Sequence, residues 1–117
     1  MENIKSQMRK GVLEYCILNI LDKNDAYTSD ILKELKEAKM IVVEGTVYPL
    51  LTRLKNAGYL SYRWEESSSG PPRKYYLLTD KGREFLKMMD ISWADLVKAV
   101  NHISKKNIKA NKTQPKL

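Results

Sequence analysis

The chain has 117 residues, 43% of them hydrophobic, one cysteine and a formal net charge of +7; that is room for a single core and excludes a disulfide scaffold. Five lysines (Lys105, Lys106, Lys109, Lys112 and Lys116) fall in residues 103–117 with no acid among them, so residues 1–102 carry only +2 and must attract phosphate, if at all, through local clusters. No stretch reaches the ~20 apolar residues of a membrane span and no secretory leader opens the chain, so a cytoplasmic protein without a membrane partner is expected.

From about Gln7 to Asp22, the residues Val12, Leu13, Tyr15, Cys16, Ile17, Leu18, Ile20 and Leu21 cover most of a helix circumference, which predicts burial on nearly all sides. A basic cluster of Lys5, Arg9 and Lys10 stands at its start, and Cys16 reads as a buried structural thiol. Asn24 and Asp25 break the pattern. Thr28 or Ser29 then caps a second helix, with Ile31, Leu32 and Leu35 inward and an end near Lys39.

A third helix follows residues 40–43 and closes at Gly58, a residue suited to the left-handed conformation after a helix. Val47, Leu50, Leu51 and Leu54 form its apolar spine. Gly45, Pro49, Thr52 and Asn56 lie opposite, with Thr46, Tyr48, Arg53 and Lys55 on the flanks. Pro49 is harmless if the helix starts near Thr46, whereas a start at Glu44 requires a kink.

Leu60, Tyr62 and Trp64 alternate with Ser61, Arg63 and Glu65, the pattern of a strand with one half-buried face. Its partner is expected over Arg73 to Leu78, across a seven-residue loop from Glu66 to Pro72 that is too long for a two-residue turn. Arg73 and Lys74 then point to opposite faces. The aromatic cluster of Tyr62, Trp64, Tyr75 and Tyr76 suits cross-strand packing, or a stacking platform for single-stranded nucleic acid.

Thr79 caps a long final helix, weakened in its first turn by Gly82. Phe85, Met89, Trp93, Leu96, Val100 and Ile103 are separated by 4, 4, 3, 4 and 3 residues, a coiled-coil-like seam. The seam suits the same helix of a second copy, against a reading in which the helix folds back on its own chain. The fold class is mostly α with a small β-hairpin: a winged helix-turn-helix over residues 1–79, a dimerisation helix over 80–104 and a disordered basic tail over 105–117.

The chain resembles the PadR family of transcriptional regulators, in its short form with a single C-terminal helix. The resemblance is carried by Gly11, Leu13, Glu14, Ile17 and Leu18, by EGTVYPLLTRLKNAGYL from Glu44 to Leu60, by RKYYLLTDKG from Arg73 to Gly82, and by Trp93. It departs where Tyr27 is followed by Thr28 and Ser29 instead of a Tyr-Gly-Tyr-like sequence. It departs again at Pro71 and Pro72, where related chains carry glycine or basic residues.

The resemblance implies a homodimeric repressor on a partly palindromic double-stranded operator, released when a ligand alters the dimer. In family members resembling this chain, two tryptophans at the position of Trp93 stack a small planar aromatic effector. Tyr15 and Val97 would line the same cavity if the first helix packs beside the last, and Trp93 is equally a seam anchor without any ligand. Val97 is apolar where an acid would have favoured a cationic compound.

Thr46, Tyr48, Pro49, Thr52, Arg53 and Lys55 are expected to meet the major groove, with Arg73 and Lys74 from the hairpin beside them. Arg53 would bracket a guanine edge or clamp a phosphate. His102, the single histidine, has no metal-ligand spacing around it, and neither a phosphate-binding glycine loop nor a nucleophile arrangement occurs. No metal, cofactor or enzymatic activity is expected. The competing reading is a winged-helix module for protein–protein interaction without specific DNA binding, kept open by the small charge of residues 1–102.

Overall fold

The computed structural model describes Met8, residues 11–40 and residues 42–113, with side chains as far as Lys105. The cluster of Lys5, Arg9 and Lys10 lies outside the described residues. Among them, the elements run α1 (Leu13–Lys23), β1 (Ala26–Tyr27), α2 (Thr28–Glu37), α3 (Glu44–Asn56), β2 (Leu60–Ser67), β3 (Gly70–Leu78) and α4 (Asp80–Thr113). The chain divides into two compact units, the first ending at Leu86 and the second beginning at Lys87. The opening turns of α4 therefore belong with the winged part.

Leu13, Ile17, Leu18 and Leu21 form one buried stripe of α1, while Tyr15, Cys16 and Ile20 are only half-buried. The helix starts at Leu13, later than the apolar run suggests, because residues 11 and 12 form a turn. At the start of α2 the cap is Tyr27, whose N–H donates to the carboxylate of Asp30 at 3.0 Å. A Schellman-type turn ends it: Met40 N–H donates to the Leu35 carbonyl at 2.7 Å, with Lys39 at φ +67°. The same device closes α3, where Tyr59 N–H donates to the Leu54 carbonyl at 3.0 Å and Gly58, at φ +87°, takes the left-handed position as predicted.

The sheet is antiparallel and three-stranded, in the order β1-β3-β2. The third strand is an addition to the hairpin expected from sequence. It pairs Ala26 with Tyr76 and Tyr27 with Tyr75, and two residues are too few to carry a period-two signal. The hairpin also differs at its tip. The strands run on to Ser67 and from Gly70, leaving a two-residue turn in place of a seven-residue loop. Pro71 and Pro72 are tolerated because the register shifts between Glu65 and Ser67 opposite them, and β1 does not reach that far along β3.

The core of the winged part joins Ile17 and Leu18 of α1, Ile31 and Leu35 of α2, and Val47, Leu51 and Leu54 of α3, closed by Leu60, Tyr76, Leu78 and Leu86. Each of the large aliphatic side chains contributes on the order of 1.5–3 kcal/mol by leaving water. At the base of α4, the Thr79 hydroxyl lies 2.7 Å from the Gly58 carbonyl and 3.0 Å from that of Tyr59, and accepts from Gly82 N–H at 2.9 Å. Lys81 donates to the Ala57 carbonyl at 2.9 Å. Phe85 stacks on Tyr59 at 4.1 Å between centroids. These contacts fix the α3–β2 corner, and with it the exit of α3.

Helix α4 runs to Thr113, so its backbone continues beyond residue 105, where composition alone predicts a tail. Extending a formed helix needs no new nucleus, and Lys and Ala are good helix formers. Residues 114–117 lie outside the described residues. No described helix is long and apolar enough to cross a membrane.

Candidate nucleic-acid interface

Helix α3 divides cleanly by burial. Val47, Leu51 and Leu54 are buried and Leu50 is half-buried, while Gly45, Thr46, Tyr48, Pro49, Thr52, Arg53, Lys55 and Asn56 are all exposed. The structure thus collects the six α3 residues singled out for groove contact on one open face. The helix begins at Glu44, which puts Pro49 in its second turn. Lacking an N–H, the proline cannot give the Gly45 carbonyl its usual helix bond, and that carbonyl lies on the exposed side.

The two flanks of this face are built differently. On one, Arg53 donates from Nε to Glu14 Oε2 at 2.7 Å and from Nη2 to the same oxygen. On the other, Lys55 stands 5.7 Å from the centre of the Tyr62 ring, and Lys74 of β3 stands 4.6 Å from the same ring. An ammonium from the helix and one from the hairpin therefore share a single aromatic cushion, an arrangement that favours cations through the ring quadrupole.

Arg73 and Lys74 point to opposite faces, as the strand period predicts. Lys74 sits with Tyr62 and Trp64, whereas the Arg73 guanidinium lies 4.0 Å from the Tyr27 ring centre. On the Arg73 face, Arg63 covers Tyr75 at 4.5 Å and donates to Glu65 at 2.6 Å, and that bond holds its guanidinium more firmly charged than usual. In the aromatic cluster, Tyr62 packs across strands on Tyr76 at 5.7 Å and along its own strand on Trp64 at 5.9 Å. Burial pushes the Tyr76 phenol up, with Tyr48 and Tyr62 adding to the effect, so it stays protonated.

Trp64 breaks the expected alternation. Leu60 is 2% exposed and Trp64, on the same face, is 61% exposed, because the hairpin outruns the core beneath it. The sequence places Trp64 in a cluster for cross-strand packing or single-strand stacking and not beside Tyr48 of α3, where it stands; the adjoining Pro71 and Pro72, which mark the same projecting end, are the signal that could have found it. Glu14 was missed as an α3 partner, since 39 residues separate it from Arg53 and no local spacing links them.

The remaining residues singled out lie elsewhere. Tyr15 is half-buried on α1 in the first unit, while Trp93 and Val97, 41% and 36% exposed, stand one turn apart on α4 in the second. Along the seam, Phe85 and Met89 are half-buried and Leu96, Val100 and Ile103 are exposed. No group of three or more acids, histidines or cysteines able to hold a metal occurs among the described residues.

A family model described as "Transcriptional regulator PadR-like family" matches residues 17–88, a span running from α1 through the hairpin into α4. The chain belongs to the PadR-like family of transcriptional regulators. A PadR-like transcription factor from Bacteroides fragilis is 64% identical, covers 86% of this chain and 98% of its own, and superposes with a TM-score of 0.74. A PadR family transcriptional regulator from Eggerthella lenta is 30% identical, with coverages of 87% and 89% and a TM-score of 0.80. A PadR-like transcriptional regulator from Bacillus cereus is 41% identical, with coverages of 83% and 95% and a TM-score of 0.72. Membership makes this PadR-like chain a transcriptional regulator, acting through DNA, and its fold is the winged helix with a long C-terminal helix expected from sequence.

Proposed function

We propose that this PadR-like regulator is a homodimeric repressor that reads a double-stranded operator through α3 and the hairpin and is released by a small planar aromatic compound. The observation that carries the DNA half is the α3 face: Thr46, Tyr48, Pro49, Thr52, Arg53 and Lys55 stand open together, with Lys74 alongside on the hairpin. Small and polar groups at the centre with cations at the rim suit a groove floor between phosphate walls. Support for the dimer comes from α4, where Leu96, Val100 and Ile103 are 54%, 53% and 81% exposed in the single chain, an apolar row that a second copy would cover. A twofold axis would set the two α3 helices one helical turn of DNA apart, about 34 Å, and so demand paired half-sites. The effector rests on Trp93, which lies on the same row, and on the family resemblance.

The test is fluorescence anisotropy of the protein on a duplex from just upstream of its own gene, competed with a scrambled duplex of equal length. Binding that resists the scrambled competitor supports operator reading. Equal competition reduces the affinity to charge alone and favours the protein-docking module, for which the +2 charge of residues 1–102 speaks. For the effector, planar aromatic compounds should quench tryptophan emission in the intact protein, and a Trp93→Ala variant that keeps full ligand affinity would end that assignment.

A further inference from the structure

Between α3 and the outer half of β3 lies a cleft of about 280 Å³, lined by Tyr27, Thr28, Tyr48, Trp64, Pro72, Arg73 and Lys74. Its chemistry is uniform. Three aromatic rings and two cations surround it, and no carboxylate does. A second cleft of similar size, about 290 Å³ near α2, shows the contrast, since Asp25, Asp30, Glu34 and Glu37 outnumber Lys23 and Lys33 in its wall. Both cations of the first cleft are held on aromatic rings, Arg73 at 4.0 Å from Tyr27 and Lys74 at 4.6 Å from Tyr62. They are pre-positioned for an anion at little further cost in side-chain freedom. Glu65, which stands opposite Arg73 across the hairpin, does not line the cleft and accepts from Arg63 at 2.6 Å.

We propose that this cleft holds one sugar–phosphate unit of the DNA backbone, with the exposed face of Trp64 against the deoxyribose and Lys74, its cross-strand partner, on the phosphate, while Arg73 lines the cleft from the other face of β3. The inference rests on the DNA reading above and adds to it Trp64 and the place where the backbone runs past the hairpin. A deoxyribose presents an apolar face beside a fixed negative charge, and the cleft offers an indole 61% exposed beside two positive ones. Solvent gains nothing from so much open indole, whereas a sugar covers it without breaking a hydrogen bond. At the tip of the hairpin, Glu65 and Glu66 join Pro71 and Pro72 around the other side of Trp64. The phosphate chain is thus attracted near Lys74 and repelled further out, which selects the flank of the hairpin over its tip as the contact.

Because sugar and phosphate carry no sequence information, the contact strengthens every duplex alike. Trp64→Ala should therefore weaken binding to the upstream duplex and to its scrambled counterpart by the same factor, about tenfold on the scale of aromatic–nucleotide contacts. Lys74→Ala should weaken both equally and lower the salt slope by about one. DNA should also quench tryptophan emission in the intact protein, and Trp64→Phe should abolish that quench while retaining most of the affinity. Thermal unfolding of the variants checks the fold. If labelled duplex binds but the emission and the Trp64→Ala affinity are unchanged, the cleft assignment is overturned and the DNA reading survives. A loss confined to the upstream duplex would make Trp64 a base reader and overturn the sugar–phosphate assignment. Failure of the intact protein to bind any duplex overturns both.

Discussion

Arg53 on α3 is tied to Glu14 on α1, with Nε 2.7 Å from one carboxylate oxygen and Nη2 donating to the same atom. The pair engages the Nε–Nη2 edge of the guanidinium and leaves the Nη1–Nη2 edge to donate outward. Because half or more of protein–DNA hydrogen bonds go to the backbone, that edge is expected on a phosphate. Arg53→Ala should then weaken the upstream and scrambled duplexes alike and reduce the salt slope by about one. A loss of ~1–3 kcal/mol at the upstream duplex alone would show that Arg53 reads a base. The pair itself adds little to stability, since the Arg53 side chain is 67% exposed and such pairs contribute about 0–1 kcal/mol. Glu14→Gln should leave thermal unfolding nearly unchanged.

Gly82 gives a test in which two simple rules disagree. Helix propensity predicts that Gly82→Ala stabilises α4 by ~1 kcal/mol. The packing predicts the reverse, because a Cβ at this position would lie 2.1 Å from the Tyr59 carbonyl oxygen and 2.7 Å from Leu78 Cδ1. Backbone cannot yield cheaply there, for the Tyr59 carbonyl also receives Thr79 N–H at 3.1 Å. The expected outcome is a loss of about 1–3 kcal/mol or more in denaturant unfolding. An unchanged or raised midpoint would show that the α4 start can move away from the α3–β2 corner.

The spine of α3 was legible because burial on one face of a helix leaves a 3.6-residue period, and Gly58 was legible because few other residues take its φ. The apolar row along α4 rests on the same periodicity alone, and its residues beyond Met89 stand exposed in the single chain. What escaped was shorter or longer in range than any period. Strand β1 has two residues, and its place is decided by Tyr75 and Tyr76 on a strand far along the chain. The hairpin turn was obscured by Pro71 and Pro72, which read as loop until the register shift opposite them is known. The Glu14–Arg53 pair depends on how α1 and α3 pack, and the exposure of Trp64 depends on where the core ends. Neither is written in local spacing.

Cys16 and Tyr76 predict a fall in stability at alkaline pH. Burial pushes the Cys16 thiol up, with the Met40 thioether 3.7 Å from its sulfur, and burial pushes the Tyr76 phenol up as well. Both groups are neutral when protonated, so a raised value in the folded state means that the unfolded chain ionises first. Their contribution is fully present below the ordinary thiol and phenol values, about 8.5 and 10, and is lost as pH climbs through the raised folded values. Urea midpoints should hold near neutrality and drop above about pH 8.5. A Cys16→Ala variant should lose the earlier part of that fall; a profile identical to the parent would mean that the thiol titrates alike in both states.

Leu96 and Val100 lie four residues apart on α4, 54% and 53% exposed, and both stand on the row that includes Trp93. Glutamate at these positions costs the single chain little, since neither side chain is buried in it. In a twofold dimer sealed along this row, each substitution would carry a charge into an apolar interface from both copies at once. Leu96→Glu with Val100→Glu should therefore give a folded monomer by light scattering, with thermal unfolding no longer dependent on protein concentration. The operator then discriminates function from mere assembly. Two linked half-site contacts exceed one by a factor of 10² or more through effective concentration. The monomer should accordingly lose most of its preference for a paired site while a single half-site duplex binds as before. A variant that remains dimeric with that preference intact would place the dimer contact elsewhere than on this face of α4.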